Sequence, residues 1–228
     1  MSFNPVKISI LAVFLFGVMY YGHASAQTAP TFWVSWKASS YAPLNFRGKI
    51  LPTENTPVEI SFEIMENGKP ADLSNNTVFW FAKDNLLAQG KNKKTVSFKN
   101  MAHIGEALNV EIRVIQYKGA VVTKTVTIPV VNPGVVINSP YNRSSLAEKT
   151  LRLTALPYYF NADSLADLKF NWDINGEAPP GEVDEPYKLT VNIPAGAPAL
   201  SSVGVSVNVR NIKHIAEQTT GKTTYITR

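Results

Sequence analysis

The stretch Val203-Gly204-Val205-Ser206-Val207-Asn208-Val209 alternates a β-branched apolar residue with a small or polar one over seven positions. A period of two places every valine on one face of an extended chain and every polar residue on the other, which predicts a half-buried strand. The same pattern recurs on both sides of it. Upstream, Leu189, Val191 and Ile193 alternate, as do Phe170, Trp172 and Ile174, which run into the turn signal Asn175-Gly176. Leu151, Leu153 and Ala155 alternate before them, and Val135 to Ile137 opens the series. Downstream, Thr219 to Thr227 closes it.

The first half carries an equivalent series. Phe32, Val34 and Trp36 share a face, and Val58, Ile60, Phe62 and Ile64 form a clean alternation ended by Asn67-Gly68-Lys69-Pro70. Val78-Phe79-Trp80-Phe81 is apolar on both faces, which predicts a central strand. Val96 and Phe98 follow the polar turn Gly90 to Lys94. Leu108, Val110, Ile112 and Val114 then alternate up to the Lys118-Gly119 turn, and Val121 to Ile128 ends the half. After residue 27 there is no apolar stripe of helical period ten residues long; short helical turns are expected only near Met101–Ala107 and Ser164–Leu168. Valine, isoleucine and threonine make 54 of the 228 residues, a bias that suits pleated surfaces.

The expected fold is all-β: two tandem immunoglobulin-like β-sandwiches, at about residues 30–132 and 133–228, after an N-terminal signal peptide. Val131-Asn132-Pro133-Gly134 is the breaker between them. Each half places a tryptophan, Trp80 or Trp172, in its third strand, and these are the expected structural core residues. A large ring there fills the roughly 10 Å between two packed sheets. In the second half, Phe170-Asn171-Trp172-Asp173-Ile174-Asn175-Gly176-Glu177 resembles the tryptophan turn of bacterial immunoglobulin-like domains of the polycystic-kidney-disease type, matching at Trp172, Asp173 and Gly176. That resemblance implies extracellular binding, spacing or adhesion and carries no catalytic residue.

The N-terminus reads as a leader. Lys7 precedes an apolar run from Ile8 to Gly22, followed by His23-Ala24-Ser25-Ala26. A basic start, a short apolar stretch and a small-x-small end make residues 1–26 a signal peptide, with Gln27 the first mature residue. Fifteen apolar residues fall short of the roughly 20 that span a bilayer core, so no stable membrane span is expected after cleavage. Removing 26 of the 228 residues, Lys7 among them, leaves 202 residues and lowers the formal charge from +5 to +4. Export to the periplasm, cell surface or medium disfavours nucleic acid as a partner. It favours an envelope protein or polysaccharide.

Chemistry is sparse. There is no cysteine, which excludes a disulfide scaffold, a thiol nucleophile and a Cys-ligated zinc. His103 and His214 stand in different halves without a His partner nearby, and no Gly-x-Ser-x-Gly motif occurs. The chain is therefore expected not to be an enzyme and to need no cofactor. The one metal candidate is calcium near Asp184 and Glu185, which follow Pro179-Pro180-Gly181. Aromatic side chains are the expected ligand contacts: Trp33, Tyr41, Tyr158 and Tyr159. The function expected is non-catalytic binding or scaffolding. One alternative is a carbohydrate-binding module. Another is a periplasmic chaperone acting by β-strand donation through Ala120–Val131, whose apolar residues Val122, Val126 and Ile128 would be donated, with Pro129 removing one backbone donor.

Overall fold

The computed structural model describes residues 30–144, 146, 149–180, 185–194 and 198–228, so the expected signal peptide lies outside the described residues. Residues 32–228 form one compact unit. Its first half contains β1 (Thr31–Ala38), β2 (Pro57–Glu66), β3 (Lys69–Pro70), β4 (Thr77–Ala82), β5 (Asn85–Lys91), β6 (Thr95–Lys99), β7 (Ala107–Tyr117) and β8 (Ala120–Pro129). Its second half contains β9 (Gly134–Asn138), β10 (Thr150–Tyr158), β11 (Leu168–Ile174), β12 (Lys188–Asn192), β13 (Ser202–Asn211) and β14 (Gln218–Ile226).

The wiring of the two halves is the same. In the first, β2 pairs with β1, β3 and β6, and a second sheet runs β5-β4-β7-β8. In the second, the sheets run β12-β10-β9 and β11-β13-β14. With the two-residue β3 and the edge strand β5 set aside, in each half the first, second and fourth strands build one sheet, while the third joins the last two in the other. This is the immunoglobulin arrangement, and the extra edge strand β5 makes the first half resemble the variable type. The chain is thus two tandem immunoglobulin-like sandwiches. Alternation decides what each sheet buries. Val58, Ile60, Phe62 and Ile64 of β2 face Val78, Trp80 and Ala82 of β4 and the inward residues of β7 in one core. Leu151, Leu153, Trp172, Val207, Val209 and Tyr225 are central to the other.

The two tryptophans occupy equivalent places. Trp80 is fully buried and Trp172 is 7% exposed. Trp80 Nε1 donates to the Lys93 carbonyl at 2.8 Å, and Trp172 Nε1 donates to the Pro186 carbonyl at 2.9 Å. Each acceptor lies two residues before the strand that opposes it, β6 or β12, so each indole ties its own sheet to the other one. Burying the ring without this bond would strand a polar N–H in the core.

Tight turns set the registers. Asn67-Gly68, Lys83-Asp84, Lys118-Gly119 and Asn175-Gly176 are two-residue loops whose central residues all have positive φ. That twist matches the flanking strands, and asparagine and glycine reach it at least cost. Strand β5 is an element the sequence pattern does not predict. It forms because the Lys83-Asp84 turn folds residues 85–91 back onto β4, with a bulge opposite Trp80 and Phe81. The short helical turn expected at Ser164–Leu168 is a 3-10 turn at Leu165–Asp167. The one expected at Met101–Ala107 is absent. Asn100, almost fully buried, instead donates to the Thr53 and Ala102 carbonyls and accepts from the Ala102 N–H, which holds that segment as an irregular turn.

Candidate functional site

Sheet β5-β4-β7-β8 buries one face, and its other face carries an unusual residue set. Val78, Trp80 and Ala82 point into the core, so Phe79 and Phe81 point out. The two rings lie 6.2 Å apart at an interplanar angle of 9°. Register places Arg113 directly beside Phe79 and Glu111 beside Phe81 on β7. On β8, Thr123, Thr125 and Thr127 stand beside Arg113, Glu111 and Asn109. A depression of ≈ 410 Å³ lies over this grid, lined by Phe81, Asn109, Glu111, Arg113, Thr125 and the turn residues Lys83 and Asp84.

Within it the polar groups are held. The Arg113 guanidinium lies 5.0 Å above the Phe81 ring and donates from Nε to Glu111 at 3.1 Å. Asn109 Oδ1 accepts from the Thr127 hydroxyl at 2.8 Å. Lys83 pairs with Glu106 at 2.9 Å, and that bond holds the Glu106 carboxyl below its ordinary range. The lining has two cations and two anions, so the depression carries no net charge. Sequence reasoning did not single out Phe79 and Phe81 as contacts. The available signal was the run Val78–Phe81, apolar on both faces of a strand whose sheet neighbours are polar on one.

The aromatic residues expected as ligand contacts are placed differently. Trp33 is 64% exposed on the outer face of β1, away from the others. Tyr41, Tyr158 and Tyr159 come together. Residues 39–51, which leave β1, reach the second half, and Tyr41 packs against the second core. Phe46 meets Tyr158 and Tyr159 edge-on, at 5.5 and 6.0 Å between ring centroids. Burial, with Tyr187 nearby, raises the pKa of the Tyr41 hydroxyl above its ordinary value. Nearby, Asn211 is fully buried and donates to the Asn161 carbonyl at 2.8 Å and to Glu217 at 2.7 Å, joining the loop after β10 to the loop after β13.

Of the calcium candidates, Asp184 lies outside the described residues, and Glu185 is engaged by Lys188 and by the Tyr187 hydroxyl, which hold its carboxyl below the usual range. Asp163 and Asp167 share Lys213. Among the described residues no group of three or more histidines and carboxylates is arranged to hold a metal ion. His103 pairs with Glu54 at 3.1 Å, and the His214 ring lies 3.3 Å from the Asn161 amide. Strand β8 is a sheet edge, but Val122, Val126 and Ile128 pack into their own core, so the apolar residues expected for donation are already used. No described helix is long and apolar enough to cross a membrane.

No family model and no curated protein matches the chain. Solved structures that align with it include the three N-terminal domains of the highly immunogenic outer capsid protein of bacteriophage RB49. That match has 13% identity and a TM-score of 0.44, and covers 87% of this chain and 59% of that one. The fibronectin(III)-like modules of Clostridium thermocellum CbhA align at 15% identity and a TM-score of 0.29, covering 86% of this chain and 94% of that one. A Bacteroides ovatus mixed-linkage glucan utilization locus protein, SGBP-B, solved with a heptasaccharide, aligns at 14% identity and a TM-score of 0.26, covering 85% and 47%.

Proposed function

We propose that the chain is an exported, non-catalytic binding protein whose contact surface is the outer face of sheet β5-β4-β7-β8. The observation that carries this is the stacked pair Phe79–Phe81, with Leu86 beside Phe81, on a face where β7 and β8 set Asn109, Glu111, Arg113, Thr123, Thr125 and Thr127 next to them. An antiparallel sheet with one solvated face ordinarily alternates apolar-in with polar-out. Two large rings on the outward side cost solubility and add nothing to the core, so their use lies in contact with something else. The equivalent strands β13 and β14 of the second sandwich carry no such pair: their outward residues include Gly204, Ser206, Asn208, Arg210, Thr220, Lys222 and Thr224. In this reading the second sandwich serves as mount and spacer, and the leader delivers the protein to the cell envelope or beyond.

Strand donation by β8 is the less favoured reading. Beyond Val121 near its start, the outward side chains of the strand's middle are Thr123, Thr125 and Thr127, which give an acceptor groove no row of apolar anchors.

The test places a photo-crosslinking residue at Thr125 and, as control, at Lys222, in the protein expressed in its own cells and fractionated. Adducts from position 125 in the envelope or medium, and none from position 222, are the expected result. Equal labelling from both positions, or retention of the protein in the cytoplasm, would overturn the reading.

A further inference from the structure

From the chemistry of the same face, we propose that its ligand is a neutral saccharide; this rests on the contact surface assigned above. Three features of the depression point there. The first is aromatic surface. The parallel rings of Phe79 and Phe81, at 9° and 6.2 Å, form an aromatic patch on this face, and Phe81 lines the depression. The face of a pyranose ring presents C–H groups of slight positive charge, which settle on the negative face of an aromatic ring. The second is charge. Arg113 and Lys83 oppose Glu111 and Asp84, and both cations are already paired, Arg113 with Glu111 and Lys83 with Glu106. An anionic polymer would meet no net attraction here, and a cationic one no better. The third is the polar inventory. A sugar hydroxyl both donates and accepts, and it meets here an amide, a carboxylate, a guanidinium and a hydroxyl from Thr125. A ligand that is apolar throughout would strip water from those groups without replacing its bonds.

Size agrees. The depression of ≈ 410 Å³ falls within the roughly 300–1,000 Å³ of small-ligand sites. The groups around it stand on strands and on a two-residue turn, so little ordering is required on binding.

The experiment is native affinity electrophoresis of the full chain as exported, in gels containing dextran, hydroxyethylcellulose or galactomannan, with alginate as the anionic control. Retardation in at least one neutral gel is expected, unchanged between 0.1 and 0.5 M salt, because no net charge drives it (Debye lengths there fall from about 10 Å toward the 3 Å of 1 M). Phe81→Ser should weaken retardation at least tenfold. The double change Asn109→Ala with Thr125→Ala leaves both rings in place and should weaken retardation as well; circular dichroism melting checks that each variant folds. Retardation in alginate alone that vanishes with salt would overturn the proposal, as would no retardation in any gel. Protein adducts from position 125 together with no gel retardation would remove the saccharide and keep the contact surface. Neither adducts nor retardation would remove both.

Discussion

Tyr41 and Phe160 are joined through their backbones: the Tyr41 N–H donates to the Phe160 carbonyl at 2.7 Å, and the Tyr41 carbonyl accepts from the adjacent Tyr159 N–H at 2.7 Å. The two residues are far apart in sequence and belong to different halves of the repeat. The residues after β1 therefore do more than connect β1 to β2. They leave the first sandwich, lend a tyrosine to the second core, and return to β2 with Pro52 accepting from the Val131 N–H at 3.0 Å. The chain crosses between halves at Asn132-Pro133-Gly134, and it touches again through residues 39–51.

The first prediction follows from that double connection. Asn132-Pro133-Gly134 is too short for a flexible linker, and Pro133 restricts both itself and Asn132. With the Tyr41 segment added, the two sandwiches should move as one body. Amide relaxation by NMR should return one rotational correlation time for residues 32–228. Tyr41→Pro removes the donor to Phe160, and with Phe46→Ala it should let the halves reorient separately. Two correlation times in the unmodified protein, each fitting a unit of about 100 residues, would contradict this.

The second prediction concerns the indoles. Trp80→Ala and Trp172→Ala should each cost about 3–5 kcal/mol, the range for large aromatic truncations in cores. Trp172→Phe keeps most of the ring but leaves the Pro186 carbonyl unpaired, and should cost about 1–3 kcal/mol. Urea unfolding followed by tryptophan fluorescence measures all three. A Trp172→Phe protein as stable as the parent would mean that the indole N–H bond does not tie the two sheets.

The repeat and its tryptophans were legible because they depend on local pattern. Period two marks a strand wherever one face is buried, and Asn-Gly or Lys-Gly marks the hairpin. What escaped has physical reasons. Residues 85–91, with Leu86 and Leu87 adjacent, do not alternate, because β5 is an edge strand placed by its turn and not by a buried face. The run Val78–Phe81 foretold a central strand. That its outer face stays open depends on what packs over it, and nothing within the run encodes that. That Tyr41 packs against the second core was not legible, because its partner, Phe160, lies over a hundred residues away. A buried ring and a binding ring look alike until the long-range contact is known.

The third prediction sets two neighbouring positions of β14 against each other. A methyl at Gly221 would lie 3.0 Å from the Val135 carbonyl oxygen and 3.1 Å from Val135 Cγ1, because β9 lies close against this strand. Gly221→Ala should destabilise by about 1–3 kcal/mol, as overpacking does. Two residues on, the Thr223 hydroxyl is buried without a hydrogen-bond partner among the described residues. Thr223→Val keeps the shape, removes that polar group, and should stabilise by about 1 kcal/mol. Thermal melts of the two variants should shift in opposite directions; shifts of the same sign would mean that β14 does not pack on β9 as described.

The last prediction is a pH dependence with a definite sign. The Tyr117 hydroxyl donates to Glu66, which also pairs with Lys118 at 2.7 Å. Burial, and then the bond to Glu66, push the Tyr117 pKa up to about 12 from 10.0. The bonds from Lys118 and then Tyr117 hold Glu66 below 4.5. A raised tyrosine pKa means that between pH 10 and 12 the unfolded chain has lost a proton the folded one still holds. Stability therefore falls as pH rises through that window. The carboxylate works the other way: its contribution is present above about pH 4.5 and is lost as pH drops through the folded value. Tyr117→Phe should thus be less stable than the parent at pH 8, and the difference should shrink steadily from pH 10 to 12. Glu66→Gln should differ from the parent at pH 7 and converge with it in acid. Urea denaturation across both ranges reads these gaps. A Tyr117→Phe gap that stays constant up to pH 12 would mean that the hydroxyl titrates as it does in the unfolded chain, and that the Tyr117–Glu66–Lys118 cluster does not hold the β7–β8 hairpin to β2.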